Sequence, residues 1–390
     1  MTLALYGRLP ITLTILLISL ILLGLPWPSV ENPEYGARIE GFQPPSRPTL
    51  RVPQDFPTIQ AAIDAAPENA TVLVAAGTYR ENLIISKRNL VLSGEGAEKT
   101  IIEPAKSDLP IVLVLSAATV RGFTIRGARG WHASGIQVAG PDNFIIAYNV
   151  IEDNFPHGIY VQGRYWGSIY NNVIQNNGID PNSHWRYGGV RLDKVGDFVL
   201  LLGDVDLREN TIVNNDVEIQ RSYWVRCTKN LFRKANIRTL ESTEIGIWQN
   251  SFEDSSVYIS GEARRFTLNV LNEYRAMIVA NVFRSGHIDL NATEFHVRGN
   301  HIYGSSKDGI RIWGNKYHDG FFLAQGRAPR RELISNTVIE SARHGLHIEF
   351  DSLENILTVC RDNTIRGSKE ADYAVGSKPS EALKKQCESN

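Results

Sequence analysis

Nine residues of the sequence stand between paired apolar positions at recurring intervals: Gln137, Tyr160, Arg191, Glu218, Arg238, Tyr258, Asp289, Arg311 and His347. Two positions further on come Gln162, Asp193, Gln220, Ser260, Asn291, Trp313 and Glu349. Arginine pairs bidentately with carboxylate or sulfate, and flat aromatic rings stack on sugar rings. Proton abstraction beside a uronate needs a base and a cation that neutralises the carboxylate. His157, Tyr160, His184 and Arg191 are of those types. Asp193 with Glu218 or Asp289 would serve either as Ca²⁺ ligands or as the carboxylate pair of a hydrolase. The candidate catalytic residues are therefore His157, Tyr160, His184, Arg191, Asp193 and Glu218. Trp185, Arg186, Tyr187, Arg238, Tyr258, Asp289, Arg311 and Trp313 are candidate substrate contacts. The set suits an acidic polysaccharide, as a lyase, epimerase or glycoside hydrolase, or as a non-catalytic surface or periplasmic binding module. Taken singly, the same charges have a structural reading: opposite signs on adjacent strands pair across a sheet, each pair contributing roughly a few tenths of a kcal/mol.

The elements that hold these residues follow from the spacing. Short alternating apolar runs, "GIQV", "GIYV", "GVRL", "GIRI" and "GLHI" among them, indicate half-buried strands, and long helical periodicity is nearly absent. Each such strand is followed by an Asn and two mostly apolar residues, at Asn149, Asn172, Asn210, Asn230, Asn250, Asn281, Asn300, Asn336 and Asn363. The two landmarks alternate nine times, and the shortest full turn is 20 residues. A unit that short, with no helix in it, buries its apolar faces only by stacking on the next unit, which makes a parallel β-solenoid. In it the nine residues above line one outward face. The asparagines read as turn formers that tolerate left-handed backbone, with stacked amides satisfying one another. Insertions after the strands that begin at Val190, Val257, Ile310 and Leu346, and "NGIDPNSHWRY" (Asn177 to Tyr187) before one of them, gather loops on that face.

The stretch "RVPQDFPTIQAAIDAAPENATVLVAAGTYRENLIISKRNLVLSGEGAEKTII" (Arg51 to Ile102) resembles the opening of right-handed parallel β-helix proteins of the pectin-lyase-like superfamily. The resemblance extends to about Gly367 and implies an all-β, single-stranded right-handed parallel β-helix. "FPTIQAAIDAAP" fits the short capping helix of such a fold, with Pro57 at its first position and Ile59, Ala62 and Ile63 on one face. "GTYREN" (Gly77 to Asn82) resembles an element of pectin methylesterases. The paired aspartates and the Arg beside Trp with which that family works are not found here, so its catalytic residues are not carried over. "NFPHG" around His157 resembles an Asp-Pro-His motif of alginate epimerases, with Phe155 in place of the aspartate.

Composition sets the bounds. With 41 Lys+Arg against 42 Asp+Glu, the whole molecule exerts no strong pull on nucleic acid or membrane. The basic "RAPRRE" run (Arg327 to Glu332) reads as a solvated loop, with a polyanion site as the alternative. Three cysteines without metal-site spacing suggest no disulfide framework. A buried thiol or a Cys227–Cys360 bridge are the two readings. The apolar run Ile11 to Leu25 suits a secretory signal peptide, cleaved, or else kept as a membrane anchor, so the body is expected outside the cytoplasm, touching membrane only through this segment. Residues 1–28 are thus a signal or anchor, 29–50 a Pro-rich linker, 51–367 the β-helix, and 368–390 a polar tail that either forms a second cap or frays. A monomer is expected.

Overall fold

Residues 47–140, 143–163, 166–179, 187–196, 204–260, 275–291, 294–313, 330–349 and 357–388 are described in a computed structural model. The Ile11 to Leu25 run, the Pro-rich linker, His184, Trp185 and Arg186 lie outside them. Alternation becomes strand as expected: in Val217–Gln220 the two apolar side chains are buried while Glu218 and Gln220 are partly exposed. Each coil contributes one strand to each of three sheets, of 13, 13 and 12 strands, and all pairings within the coils are parallel. The first sheet holds the "GI-x-V" strands. One coil runs Val217–Gln220, Tyr223–Thr228 and Leu231–Arg233, and the next begins at Ile237. Val217 then lies beside Ile237, which is the 20-residue period in space. At about 4.8 Å per coil, twelve coils make a stack roughly 58 Å long.

The core is a set of columns. In the third sheet Phe232, Phe252 and Phe283 are fully buried and stack face to face, with ring centroids 4.7 and 4.5 Å apart. The nine landmark asparagines form one continuous ladder at the corner between the second and third sheets. Asn230, for example, donates its backbone N–H (2.8 Å) and Nδ2–H (3.0 Å) to Asn250 Oδ1, and a further Nδ2–H to the Leu207 carbonyl at 2.8 Å. Their backbone role differs from the expectation. The left-handed residue is the one before each Asn, as at Glu209, Lys229, Gln249 and Ala280, each with φ between 54° and 57°. The Asn is held by its amide, whose geometry the next coil dictates. A second, shorter ladder, Asn154–Asn177–Asn215, occupies the corner before the first sheet. It explains the Gly of "GI-x-V": a Cβ on Gly189 would lie 2.1 Å from Asn215 Oδ1, and one on Gly158 2.7 Å from the Asn177 side chain.

Both ends are covered. The helix Ile59–Ala65 buries Ile59, Ala62 and Ile63 against the first coil. Its N-cap is Thr58, so Pro57 precedes the cap, where the expectation had it inside the first turn. Glu81 of "GTYREN" accepts the Ile59 and Gln60 N–H groups at 2.9 Å each, satisfying donors that a helix start leaves orphaned. At the other end the strand Ala371–Val375 continues the first sheet, and the helix Glu381–Glu388 buries Leu383 and Cys387 on the last strands. Of the two cysteine readings made above, the buried thiol holds for Cys227 and the Cys227–Cys360 bridge does not form. Cys360 and Cys387 form a disulfide, and Cys227 is the free, buried thiol. Spacing along the chain gave no sign of this pair, since only the return of the terminal helix onto the last coil brings the two together. Among the described residues no helix is long and apolar enough to cross a membrane.

Candidate functional site

The register puts Gln137, Tyr160, Arg191, Glu218, Arg238, Tyr258, Asp289, Arg311 and His347 side by side on successive strands of the first sheet. The expected row is therefore real, and it divides into three parts with different chemistry.

At the N-terminal part the rings converge. Phe155 lies 5.4 Å from Trp131 and 5.5 Å from Tyr187, and Trp131 lies 5.8 Å from Tyr187, all edge to face. The His157 ring is 6.0 Å from Tyr187 and 5.4 Å from Tyr160, and the Arg191 guanidinium stands over the Tyr160 ring at 5.9 Å. Trp131 is 66% exposed, an unusual position for the largest apolar side chain. His157 is buried, and its Nδ1 lies 2.8 Å from the Gly188 carbonyl, which fixes Nδ1 as the protonated nitrogen. Burial, and then the charge of Arg191, hold its pKa down to about 4, against the pull of the Gly188 bond. Burial and then Asp193 raise the Tyr160 phenol. Arg191 donates to Gln220 Oε1 at 3.1 Å and sits 3.9 Å from Glu218, but its buried Nε has no partner among the described residues. Glu218 accepts the Gly188 N–H at 3.1 Å, and desolvation is the main cause of its raised pKa.

The middle part is mostly an internal ion-pair lattice. Asp193, 3% exposed, takes three bonds of 2.7 to 3.0 Å from Arg221. Arg238 pairs with Asp216 at 2.7 Å rather than with Glu218, and its guanidinium covers Tyr258 at 4.6 Å. Further along, Arg311 bonds Asp289 at 3.1 Å and also Glu349, while the Trp313 indole N–H donates to Asp289. Arg311 stands 5.5 Å from the Trp313 ring. These carboxylates are already satisfied by arginine and indole donors. They do not fit the expected Ca²⁺ set, and no step is drawn through such an ion. His347, assigned to the exposed row, is in fact 5% exposed and bonded on both ring nitrogens.

Trp131 and Phe155 are not among the residues expected from the sequence to line this site. A signal was available: three successive coils carry an aromatic residue three to five positions before the strand's first apolar residue, at Trp131, Phe155 and Tyr187. A cleft of about 420 Å³ opens elsewhere, beside Arg80, Glu103, Arg126 and Asp153. None of the row residues lines it, and Glu103 is already paired with both arginines, so we place no chemistry there.

A family model for right-handed β-helix regions matches residues 111–261. The chain is a right-handed parallel β-helix. Over 149 residues this β-helix is 30% identical to pectinesterase 4 of Arabidopsis thaliana, covering 32% of its own length and 24% of that protein. It is 39% identical over 87 residues to the probable pectinesterase/pectinesterase inhibitor 17 of the same plant, covering 20% and 17%. The chain spans about a quarter or less of the length of these curated relatives. Among solved structures, the catalytic unit of a GH87 α-1,3-glucanase from Streptomyces thermodiastaticus matches with a TM-score of 0.52 at 13% identity, over 86% of this chain and 66% of that one. At that identity the likeness is one of fold.

Proposed function

We propose that this β-helix binds an acidic polysaccharide along the outward face of its first sheet, outside the cytoplasm. The observation that carries the reading is the ring cluster of Trp131, Phe155, Tyr187, His157 and Tyr160, one exposed indole at its rim and one incompletely bonded guanidinium, Arg191, beside it. Stacking on Trp131 would hold a sugar ring, and Arg191 would take its carboxylate. The names of the matched proteins, pectinesterases and an α-1,3-glucanase, support a carbohydrate ligand. The apolar run Ile11 to Leu25 supports export, as does the Cys360–Cys387 disulfide, a bond that persists in oxidising compartments. The molecule acts as a monomer in this reading.

One observation favours chemistry as a second reading. A neutral imidazole, a protonated phenol and a guanidinium lie together at His157, Tyr160 and Arg191. In a β-elimination, Arg191 would neutralise the uronate carboxylate, the Nε2 lone pair of His157 would accept the α-proton, and Tyr160 would protonate the departing glycosidic oxygen. That converts one glycosidic bond into an unsaturated end and a free hydroxyl. Co-sedimentation with uronate-containing and neutral polymers, read together with absorbance of unsaturated products, separates the two. Binding to an acidic polymer that falls at least tenfold in Trp131→Ala and in Arg191→Ala is expected. Binding to none of them, or binding equal in both variants, overturns the proposal. Unsaturated product that vanishes in Tyr160→Phe adds the lyase; its absence leaves the binder.

A further inference from the structure

Three buried side chains near the C-terminal end converge from two coils. Asp308 precedes the strand Ile310–Ile312, and His344 and His347 belong to the strand His344–Ile348 of the following coil. Their exposures are 2%, 6% and 5%. His344 Nδ1 lies 2.9 Å from one oxygen of Asp308, and His347 Nδ1 lies 3.1 Å from the other. One ligand atom from each of the three falls within 4.8 Å of the other two. The remaining ring nitrogens also have partners, from the coil beyond. His344 Nε2 is 3.2 Å from Glu370 Oε2, and His347 Nε2 is 2.8 Å from the Gly376 carbonyl.

All four of these partner atoms are acceptors. A neutral imidazole satisfies only one acceptor, because its second nitrogen then presents a lone pair to the other oxygen. Two arrangements resolve the conflict: two imidazolium rings, or two neutral rings whose Nδ1 lone pairs meet a divalent cation while Nε2–H donates outward. Both place two positive charges in the pocket. The second matches the pattern of metal-bound histidines, whose other N–H is held by a carboxylate or a backbone carbonyl. It also leaves no proton between Asp308 and either ring.

We propose that Asp308, His344 and His347 bind one borderline divalent metal ion, with zinc the first candidate, and that Glu370 and Gly376 orient the two rings. Two imidazoles and one carboxylate suit zinc at about 2.0–2.2 Å, which sets ligand atoms about 3.4 Å apart in a tetrahedron. The two rings now meet different oxygens of Asp308, at 2.9 and 3.1 Å, and with one ligand atom taken from each residue the three lie within 4.8 Å of one another, so side-chain adjustment alone brings them to a common ion. The cation would displace Arg343, which now stands 3.7 Å from Asp308. It would tie two coils directly and the third through the outer bonds.

The full chain, purified without a histidine tag and stripped with EDTA, is titrated with zinc by calorimetry and with cobalt by visible absorption. One zinc per chain, a tetrahedral cobalt spectrum and a melting temperature raised by zinc are expected. His344→Ala and His347→Ala should each abolish the stoichiometric site. Glu370→Gln, at a half-exposed side chain that threatens no folding, should keep one zinc while weakening it 10–100-fold. Failure of the stripped wild-type chain to bind zinc or cobalt overturns the site. So does binding that the histidine variants, shown to be folded by circular dichroism, leave unchanged, or an affinity that Glu370→Gln does not alter.

Discussion

At the scale of single residues, the row on the first sheet shows how one set of side-chain types separates into fully paired and incompletely paired groups. Asp193 and Asp289 are satisfied from within, by Arg221 and by Arg311 with Trp313. Among the described residues Arg191 Nε has no partner, and the Trp131 side chain is largely exposed, and this is why the proposal rests on them. His157 makes a separate prediction. Its folded pKa is about 4 while the free side chain titrates near 6.5, with Arg191 the charge and Tyr160 and Tyr187 the rings against it. Between those values the unfolded chain binds a proton that the folded chain refuses. Stability therefore falls as pH drops from about 6.5 to 4, by up to about 3 kcal/mol for this group. Urea unfolding at pH 7 and pH 4.5 should show that loss, and His157→Gln should reduce it by a corresponding amount. An unchanged pH dependence in His157→Gln would mean the imidazole is not held neutral.

At the scale of elements, the corners carry as much information as the strands. Removing the amide in Asn250→Ala takes the partner from Asn230 N–H, from one Nδ2–H of Asn230 and from the Cys227 carbonyl at once, while Asn281 Oδ1 keeps the backbone N–H of residue 250. Each orphaned buried group costs about 1–3 kcal/mol, so a loss of at least about 3 kcal/mol in urea melts is expected. The residue before each ladder Asn behaves oppositely. Ala280, exposed and at φ 54°, carries a left-handed penalty that Ala280→Gly relieves. After the greater unfolded entropy of glycine, a net gain of up to about 1 kcal/mol should appear as a raised melting temperature. The strands and the Asn ladder were readable in the sequence because period and alternation are local properties that every coil repeats. The left-handed position was not, since Tyr148, Glu209, Lys229 and Ala280 share no side-chain property. Asp308 and His344 were missed for a related reason, since only the folded stack brings them to His347, while Trp131 left just the signal of an aromatic before three successive strands.

At the scale of the whole molecule, a stack of near-identical coils is stable in its middle and vulnerable at its ends, where each coil has one neighbour. The Cys360–Cys387 bond closes a segment of 27 residues that includes the last strands and the terminal helix. By loop entropy that is worth about 3–4 kcal/mol. Cys387→Ser, or reduction of the wild type, should lower the melting temperature and speed proteolysis within residues 360–388, with the central coils resistant. Equal protection at the terminus with and without the bond would show that Leu383 packing alone suffices.

The terminal helix also answers a polarity that the Asn ladder creates. Every amide in it points the same way: Oδ1 faces the preceding coil and Nδ2–H the following one, from Asn149 through to Asn363. The column is an aligned array of dipoles whose positive pole emerges at the C-terminal end. There Asn363 has no further asparagine, and its backbone N–H runs instead to the Cys387 carbonyl at 3.1 Å, in the last turn of the helix. A helix carries its negative pole and its orphaned carbonyls at that end. The two poles are thus opposed in sign and in contact. A lid presenting a helix N-terminus would set like against like, so this end of the stack discriminates electrically among the things that could close it.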